Sequence, residues 1–219
     1  MNSTNEESNK NTFSRRQFLT LGGGITLAIA AGTIGFRQFK QKDKDSTDVP
    51  GHDISAWVTL NRNGQVTFYN PAAEMGQGSM TALAVIFAEE MDVEWADVRI
   101  EMAPVLPDIY GLQWSGALGG PMLTVGSRTI RGYYRALRHA GAQARYLLLR
   151  QAASHWDVDT SELSTEAGRV IHSNSDREIS YGSLVELIAE SDQMEELPEI
   201  PESEWKKPED FRLIGKDVQ

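Results

Sequence analysis

EMGQGSMTALAVIFAEEMDVEWADV, residues 74–98, decides the fold. Met80, Leu83, Ala84, Phe87 and Met91 recur at helical spacing, so residues 79–91 read as an amphipathic helix. Just before it, Gly76-Gln77-Gly78 breaks any regular pattern, and just after it residues 98–102 (VRIEM) read as a strand. Upstream, residues 56–60 (AWVTL) and 65–69 (QVTFY) read as two more strands. Between them Asn61-Arg62-Asn63-Gly64 forms a hairpin turn, with Asn-Gly supplying the positive φ angles. Strands and helices in this order predict an α+β domain, a short sheet packed by two main helices.

The second main helix is expected over residues 127–156. Ile130, Tyr133, Tyr134, Leu137, Ala144 and Leu148 gather on one side of it and should pack on the sheet. Arg128, Arg131, Arg135, Arg138 and Arg145 form a neighbouring stripe. It is either a solvated face or, in a chain of net charge -10, a contact for an acidic partner or an anionic cofactor. Residues 104–124, with Gly111, Gly116, Gly119 and Gly120, make a loop too long for a plain connector, which points to function. A small β unit around residues 168–172 and a short helix over 180–188 follow. Residues 190–210, acidic and carrying Pro198, Pro201 and Pro208, read as an extended surface segment, and residues 211–215 (FRLIG) as a terminal strand.

Four parts are therefore expected: residues 1–36, 37–52, 53–190 and 191–219. Residues 1–12 are polar and of low complexity, the composition of a disordered end. Ser14-Arg15-Arg16-Gln17-Phe18-Leu19 then precedes a weakly hydrophobic, Gly/Ala-rich run to Phe36, the pattern of a twin-arginine export signal. The run is either removed after Ala28-Ile29-Ala30 or kept as a short membrane anchor. Export of a folded protein to the periplasm is the expectation, and the twin-arginine machinery is the first expected partner. KQKDKDSTD (residues 40–48) is a charged linker. The net charge argues against nucleic acid as a partner. With no Cys, this polypeptide has no thiolate metal or iron-sulfur site of its own, and His52, His139, His155 and His172 lack close ligand spacing.

Two loops carry the candidate chemistry. Gly76, Gln77 and Gly78 stand at a helix start, where backbone amides and a side-chain amide could meet an anionic or electron-rich ligand. The plain alternative is a capping turn. Thr124, Gly126, Ser127 and Arg128 stand at the second helix start, where amides, hydroxyls and a guanidinium could cradle a phosphate or a pterin edge. There the plain alternative is an N-cap at Ser127.

Residues 74–98, 120–128 (GPMLTVGSR) and 210–218 (DFRLIGKDV) resemble the xanthine dehydrogenase and aldehyde oxidase family. Within it, residues 54–218 are similar to the N-terminal region of the isoquinoline 1-oxidoreductase beta-subunit group. The resemblance implies a molybdenum-molybdopterin cofactor, in its cytosine dinucleotide form, that hydroxylates an aldehyde or N-heterocycle with oxygen from water. By motif, Gln77 with the amides of Gly76 and Gly78 would contact the pterin or the molybdenum oxo group. Thr124, Gly126, Ser127 and Arg128 would hold the pterin or the pyrophosphate end. The family's later glycine-rich loop and its glutamate base have no counterpart here, and neither Glu74 nor Glu101 has the matching context, so no catalytic residue is assigned. The chain is expected to be the N-terminal part of a large subunit, inactive alone. Its implied partners are a second polypeptide carrying the remaining domains and an iron-sulfur small subunit. Two alternatives remain open, a non-catalytic assembly module and a degenerate remnant.

Overall fold

A computed structural model describes residues 24–30, 33–36, 56–190 and 199–216. Strands β1 (Gly24–Ala30), β2 (Thr33–Phe36), β3 (Ala56–Asn61), β4 (Val66–Asn70) and β5 (Val98–Met102) form one sheet in the order β2-β1-β3-β4-β5. β3 and β4 make the expected antiparallel hairpin, with Val58 opposite Phe68 and Leu60 opposite Val66. Its turn closes through the Gly64 amide donating to the Asn61 carbonyl at 2.9 Å, with Gly64 at φ 85°. β4 and β5 run parallel, Val66 beside Val98. Parallel neighbours need a crossover, and helix α1 (Ser79–Met91) supplies it. Part of the apolar run read as a signal or anchor lies in this sheet as β1 and β2, in keeping with its β-branched and aromatic residues Ile25, Thr26, Ile29, Ile34 and Phe36. The arginine pair and the charged linker fall outside the described residues. No helix among the described residues is long and apolar enough to cross a membrane.

After a one-turn helix α2 (Pro107–Tyr110), the chain enters α3 (Thr129–Trp156). α3 buries Tyr133, Leu137, Ala144 and Leu148 as expected, but Ile130, at the helix start, is 37% exposed. Its main neighbour is α1 rather than the sheet. α1 is thus the middle layer, and every residue from position 83 to 91 is buried, Glu89 and Glu90 included. The helices approach closely where α3 has Gly141. A Cβ there would lie 2.8 Å from the Glu90 Cβ and 2.9 Å from the Phe87 carbonyl oxygen. A second sheet of β6 (Ser164–Glu166), β7 (Arg169–His172) and β8 (Arg177–Ser180) leads into α4 (Tyr181–Glu190). Tyr181 opens α4, and its hydroxyl donates to the Met91 carbonyl at 2.9 Å, tying α4 to the end of α1.

Three expectations are corrected. The arginine stripe of α3 is not a uniformly solvated face. Arg138 and Arg145 meet Glu90 of α1 at 2.5 and 3.2 Å, so the acidic partner lies within the chain. Residues 211–215 do not form a strand either. The amides of Arg212, Leu213 and Ile214 donate to the Glu89 carboxylate at 2.6–3.0 Å, and Leu213 joins the core. One buried carboxylate that takes successive amides does for this segment what a neighbouring strand would have done. Residues 199–216 are therefore fastened along α1 and α3 rather than loosely extended over the surface. Lys206 bonds Glu89 at 2.9 Å and Asp92 at 3.0 Å, and its own amide donates to Glu90 at 2.9 Å.

Candidate functional site

α1 and α3 begin beside one cavity of about 400 Å³. Gln77, Gly78, Thr124, Gly126 and Ser127 line it, so the structure brings together five of the seven residues singled out in the sequence. Met75, Val125 and Ile130 complete an apolar rim that sequence reasoning missed. Met75 is 72% exposed, Val125 46% and Ile130 37%. The two loops touch directly, for the Ala73 amide donates to the Thr124 hydroxyl at 3.1 Å. With both helix starts at one opening, the positive ends of two helix dipoles converge there.

The two starts differ in what already occupies them. At α1 the Glu74 carboxylate accepts from the amides of Gly76 at 2.8 Å, Gly78 at 2.9 Å and Met80 at 2.9 Å. Donation from Met80 and Gly78 above all holds the Glu74 carboxyl below its ordinary value. The amides of Gly76 and Gly78, expected to meet a ligand, thus point at a carboxylate of their own loop. Gln77 is also engaged. Its Nε2 donates to the Ala73 carbonyl at 2.8 Å and to Ser79 Oγ at 2.6 Å, and its Oε1 accepts from the Met75 amide at 2.6 Å. Both of its N–H bonds are spent, and the second lone pair of Oε1 is what remains for a ligand. At α3, by contrast, the N-cap residue Arg128 makes no side-chain capping bond among the described residues. Gly126 (φ 60°) and Ser127 (φ 52°) both take the left-handed conformation there, so Ser127 is not the N-cap that the plain reading expected.

That turn redirects Arg128, which is a correction. Arg128 does not line the cavity and is only 4% exposed. Its Nη2 donates to the carbonyls of Leu112 and, at 3.3 Å, Pro121, and the guanidinium lies 4.7 Å from the centre of the Trp114 ring. It fastens the glycine-bearing loop beneath α3 rather than reaching for a ligand. Its buried Nε and Nη1 have no hydrogen-bond partner among the described residues. Beside it, the Tyr133 hydroxyl donates to the Tyr110 carbonyl at 2.6 Å, and burial pushes its pKa up to about 12. Gly76 also falls outside the cavity lining.

The donor set fits a large ligand with hydrogen-bonding edges and negative charge. One side offers the Thr124 and Ser127 hydroxyls and the uncapped α3 start, and the other offers an amide oxygen. No carboxylate lines this cavity among the described residues. This arrangement offers groups that bind and orient a ligand rather than a base.

Comparison with known proteins gives the same class. The family model for the molybdopterin cofactor-binding domain matches residues 2–209. The beta chain of isoquinoline 1-oxidoreductase of Brevundimonas diminuta is 38% identical over 174 residues, 78% of this chain and 22% of that one. A membrane-bound aldehyde dehydrogenase [pyrroloquinoline-quinone] of Gluconacetobacter polyoxogenes is 30% identical over 93% of this chain and 25% of its own. A nicotinate dehydrogenase subunit of Pseudomonas putida is 31% identical over 78% of this chain and 13% of its own. The chain thus spans a quarter or less of these relatives. Matched by the family model over nearly its whole length, it belongs to the molybdopterin cofactor-binding domain family.

Proposed function

We propose that this chain supplies one wall of the molybdopterin site of a molybdenum hydroxylase large subunit, in which the cofactor is the cytosine dinucleotide form. The observation that carries this is the shared cavity at the starts of α1 and α3, where Gln77, Gly78, Thr124, Gly126 and Ser127 meet. Thr124, Ser127 and the first amides of α3 would hold the anionic edge of the cofactor, and Gln77 Oε1 would accept a hydrogen bond from it. When bound, a molybdenum-pterin group supplies the oxidation of an aldehyde or N-heterocycle carbon with oxygen from water. The residues here bind it, orient it and keep one side of it from solvent. Among the described residues no carboxylate lines the cavity, and in this reading the remaining large-subunit domains supply the base and an iron-sulfur small subunit carries electrons away. An exposed rim of Met75, Val125 and Ile130 suits a face that those domains cover.

Export fits the same reading, because a cofactor inserted before transport requires a pathway that carries folded protein. Arg15→Lys with Arg16→Lys should hold the protein in the cytoplasm, since a receptor that reads two planar guanidinium groups does not accept ammonium groups. Normal appearance of that variant in the periplasm would refute the export reading.

The central test is to purify the exported protein with whatever accompanies it and to measure its metal. Stoichiometric molybdenum in a complex that includes the remaining domains, lost on Gln77→Ala, supports the proposal. Pyrroloquinoline quinone without molybdenum would overturn it in favour of the chemistry named for the second relative. Molybdenum and dye-linked aldehyde oxidation in the 219-residue chain alone would overturn the requirement for other domains.

A further inference from the structure

β5 stands last in the sheet order, so one of its two backbone edges faces no strand among the described residues. The ladder fixes which groups lie on that edge. The Ala103 amide donates to the Asn70 carbonyl at 2.9 Å. Backbone groups along a strand alternate sides, so Arg99 and Glu101 also address β4, while Val98, Ile100 and Met102 address the open side. Val98 is answered locally, for its amide donates to the Trp95 carbonyl and its carbonyl accepts from Arg99 Nη1 at 3.2 Å. Beyond Met102 the edge closes at Pro104, which has no amide and whose carbonyl accepts from the Leu106 amide at 2.8 Å. The open stretch is thus the amides and carbonyls of Ile100 and Met102. Sheets commonly guard such an edge with Lys, Pro or a bulge. VRIEM has neither Lys nor Pro, and its register with β4 runs without a shift. Met102 is 57% exposed and Val105 83%, which makes Val105 the most exposed large apolar side chain among the described residues.

This edge ends beside the cavity. Met102 lies opposite Asn70, whose Nδ2 donates to the Met102 sulfur at 3.4 Å and to the Ala72 carbonyl at 2.5 Å. From Asn70 the chain enters the loop of Met75, Gln77 and Gly78, the loop that Ala73 ties to Thr124. We infer that β5 is the docking edge for one strand of the remaining large-subunit domains, which extends the sheet through Ile100 and Met102. The inference rests on the reading above, in which those domains complete the site. Neighbouring strands lie about 4.8 Å apart, so an added strand ends about 10 Å from the end of β4 and places its last residues near the cavity. Main-chain bonds give the attachment, with Met102 and Val105 as its apolar seat. The occupant follows from length and charge. The chain spans a quarter or less of its relatives, so most of such a subunit lies outside it. A net charge of -10 on each copy opposes self-pairing.

The test is amide hydrogen exchange of the full chain, alone and in the complex purified after export. Alone, the Ile100 and Met102 amides should exchange freely, while those of Glu101 and Ala103 are protected by β4. In the complex, Ile100 and Met102 should slow by about tenfold or more. Met102→Pro removes one outward amide and keeps the bonds to β4, so it should melt like Met102→Leu yet lose the remaining domains that Met102→Leu retains. If the proline variant does not fold, exchange in the unmodified chain still decides. A molybdenum-containing complex in which Ile100 and Met102 exchange as fast as in the free chain would overturn the inference and leave the molybdopterin reading standing. Protection in the free chain, with a dimer mass in sedimentation, would overturn it in favour of a second copy. A protein that emerges with neither molybdenum nor further domains would overturn both.

Discussion

At its C-terminal end, α1 sets Glu89, Glu90 and Asp92 against Arg138, Arg145, Lys206 and Arg212 in a network of direct ion pairs. At its N-terminal end it presents Gln77, Gly78 and Ser79 to an open cavity across from Thr124 and Ser127. The same two helices flank both places. One end has every carboxylate answered by a cation or an amide, and the other has polar groups and an apolar rim with space in front of them. Charges buried together must satisfy one another, because each unpaired ion removed from water costs several kcal/mol. The paired end therefore reads as the clamp that fixes the relation of α1 to α3. The open end reads as the place where that fixed relation is used. Breaking the clamp should unfold the chain, whereas altering the open end should change binding while the fold survives.

The largest effect should come from Glu90→Ala. It leaves Arg138 and Arg145 without their carboxylate, and Arg138 is only 5% exposed. The loss should be about 3–5 kcal/mol, or roughly 6–20 °C in melting temperature for a chain of this size. Calorimetry would check it, and a shift under about 1 °C would mean that the network contributes little to stability.

Acid should weaken the same end. Burial alone would push the Glu89 carboxyl up, but hydrogen bonds from the Arg212 and Ile214 amides, Lys206 and the Leu213 amide outweigh it and hold the group below its ordinary 4.5. A native value below the unfolded one means stability that is present above pH 4.5 and is lost as pH falls through the native value. The melting temperature should drop as pH falls below about 4.5, and Glu89→Gln should shrink that drop while lowering stability at neutral pH. An unchanged pH dependence in the variant would remove Glu89 from the account.

What the sequence made legible was local. The hairpin at Asn63-Gly64, the helix of Met80, Leu83 and Phe87, the long helix of Tyr133 and Leu137, and the two glycine loops all depend on neighbours within about a turn or a strand pair. What it hid was long-range. Adjacent Glu89 and Glu90 look like a solvated helix end until α3, some 40 positions later, covers them, and until residues 206–214 arrive with cations and free amides. The FRLIG segment has the composition of a strand, and nothing local reveals that a carboxylate rather than a strand will take its amides. Arg128 escapes a sequence reading for a smaller reason. A left-handed Ser127 turns the next side chain inward, and φ at a serine cannot be read from composition. The joint cavity follows from two helix starts of similar character, and it is legible because each start is defined locally.

Ser127 also gives the smallest effect and the sharpest contrast between the two ends. A non-glycine residue at φ 52° carries strain of order 1–2 kcal/mol, which glycine would not. Glycine costs some of that back through the greater freedom of the unfolded chain, about 0.4–1 kcal/mol. Ser127→Gly should therefore leave the isolated chain as stable as before, or more stable by up to about 1 kcal/mol. The same change removes a hydroxyl from the cavity, so molybdenum retained by the assembled complex should fall. Strain kept at a position where its relief weakens binding is strain tied to the ligand. If Ser127→Gly destabilised the chain and left metal content untouched, Ser127 would be serving the start of α3 and not the cavity, and the open end would lose one of its hydroxyls.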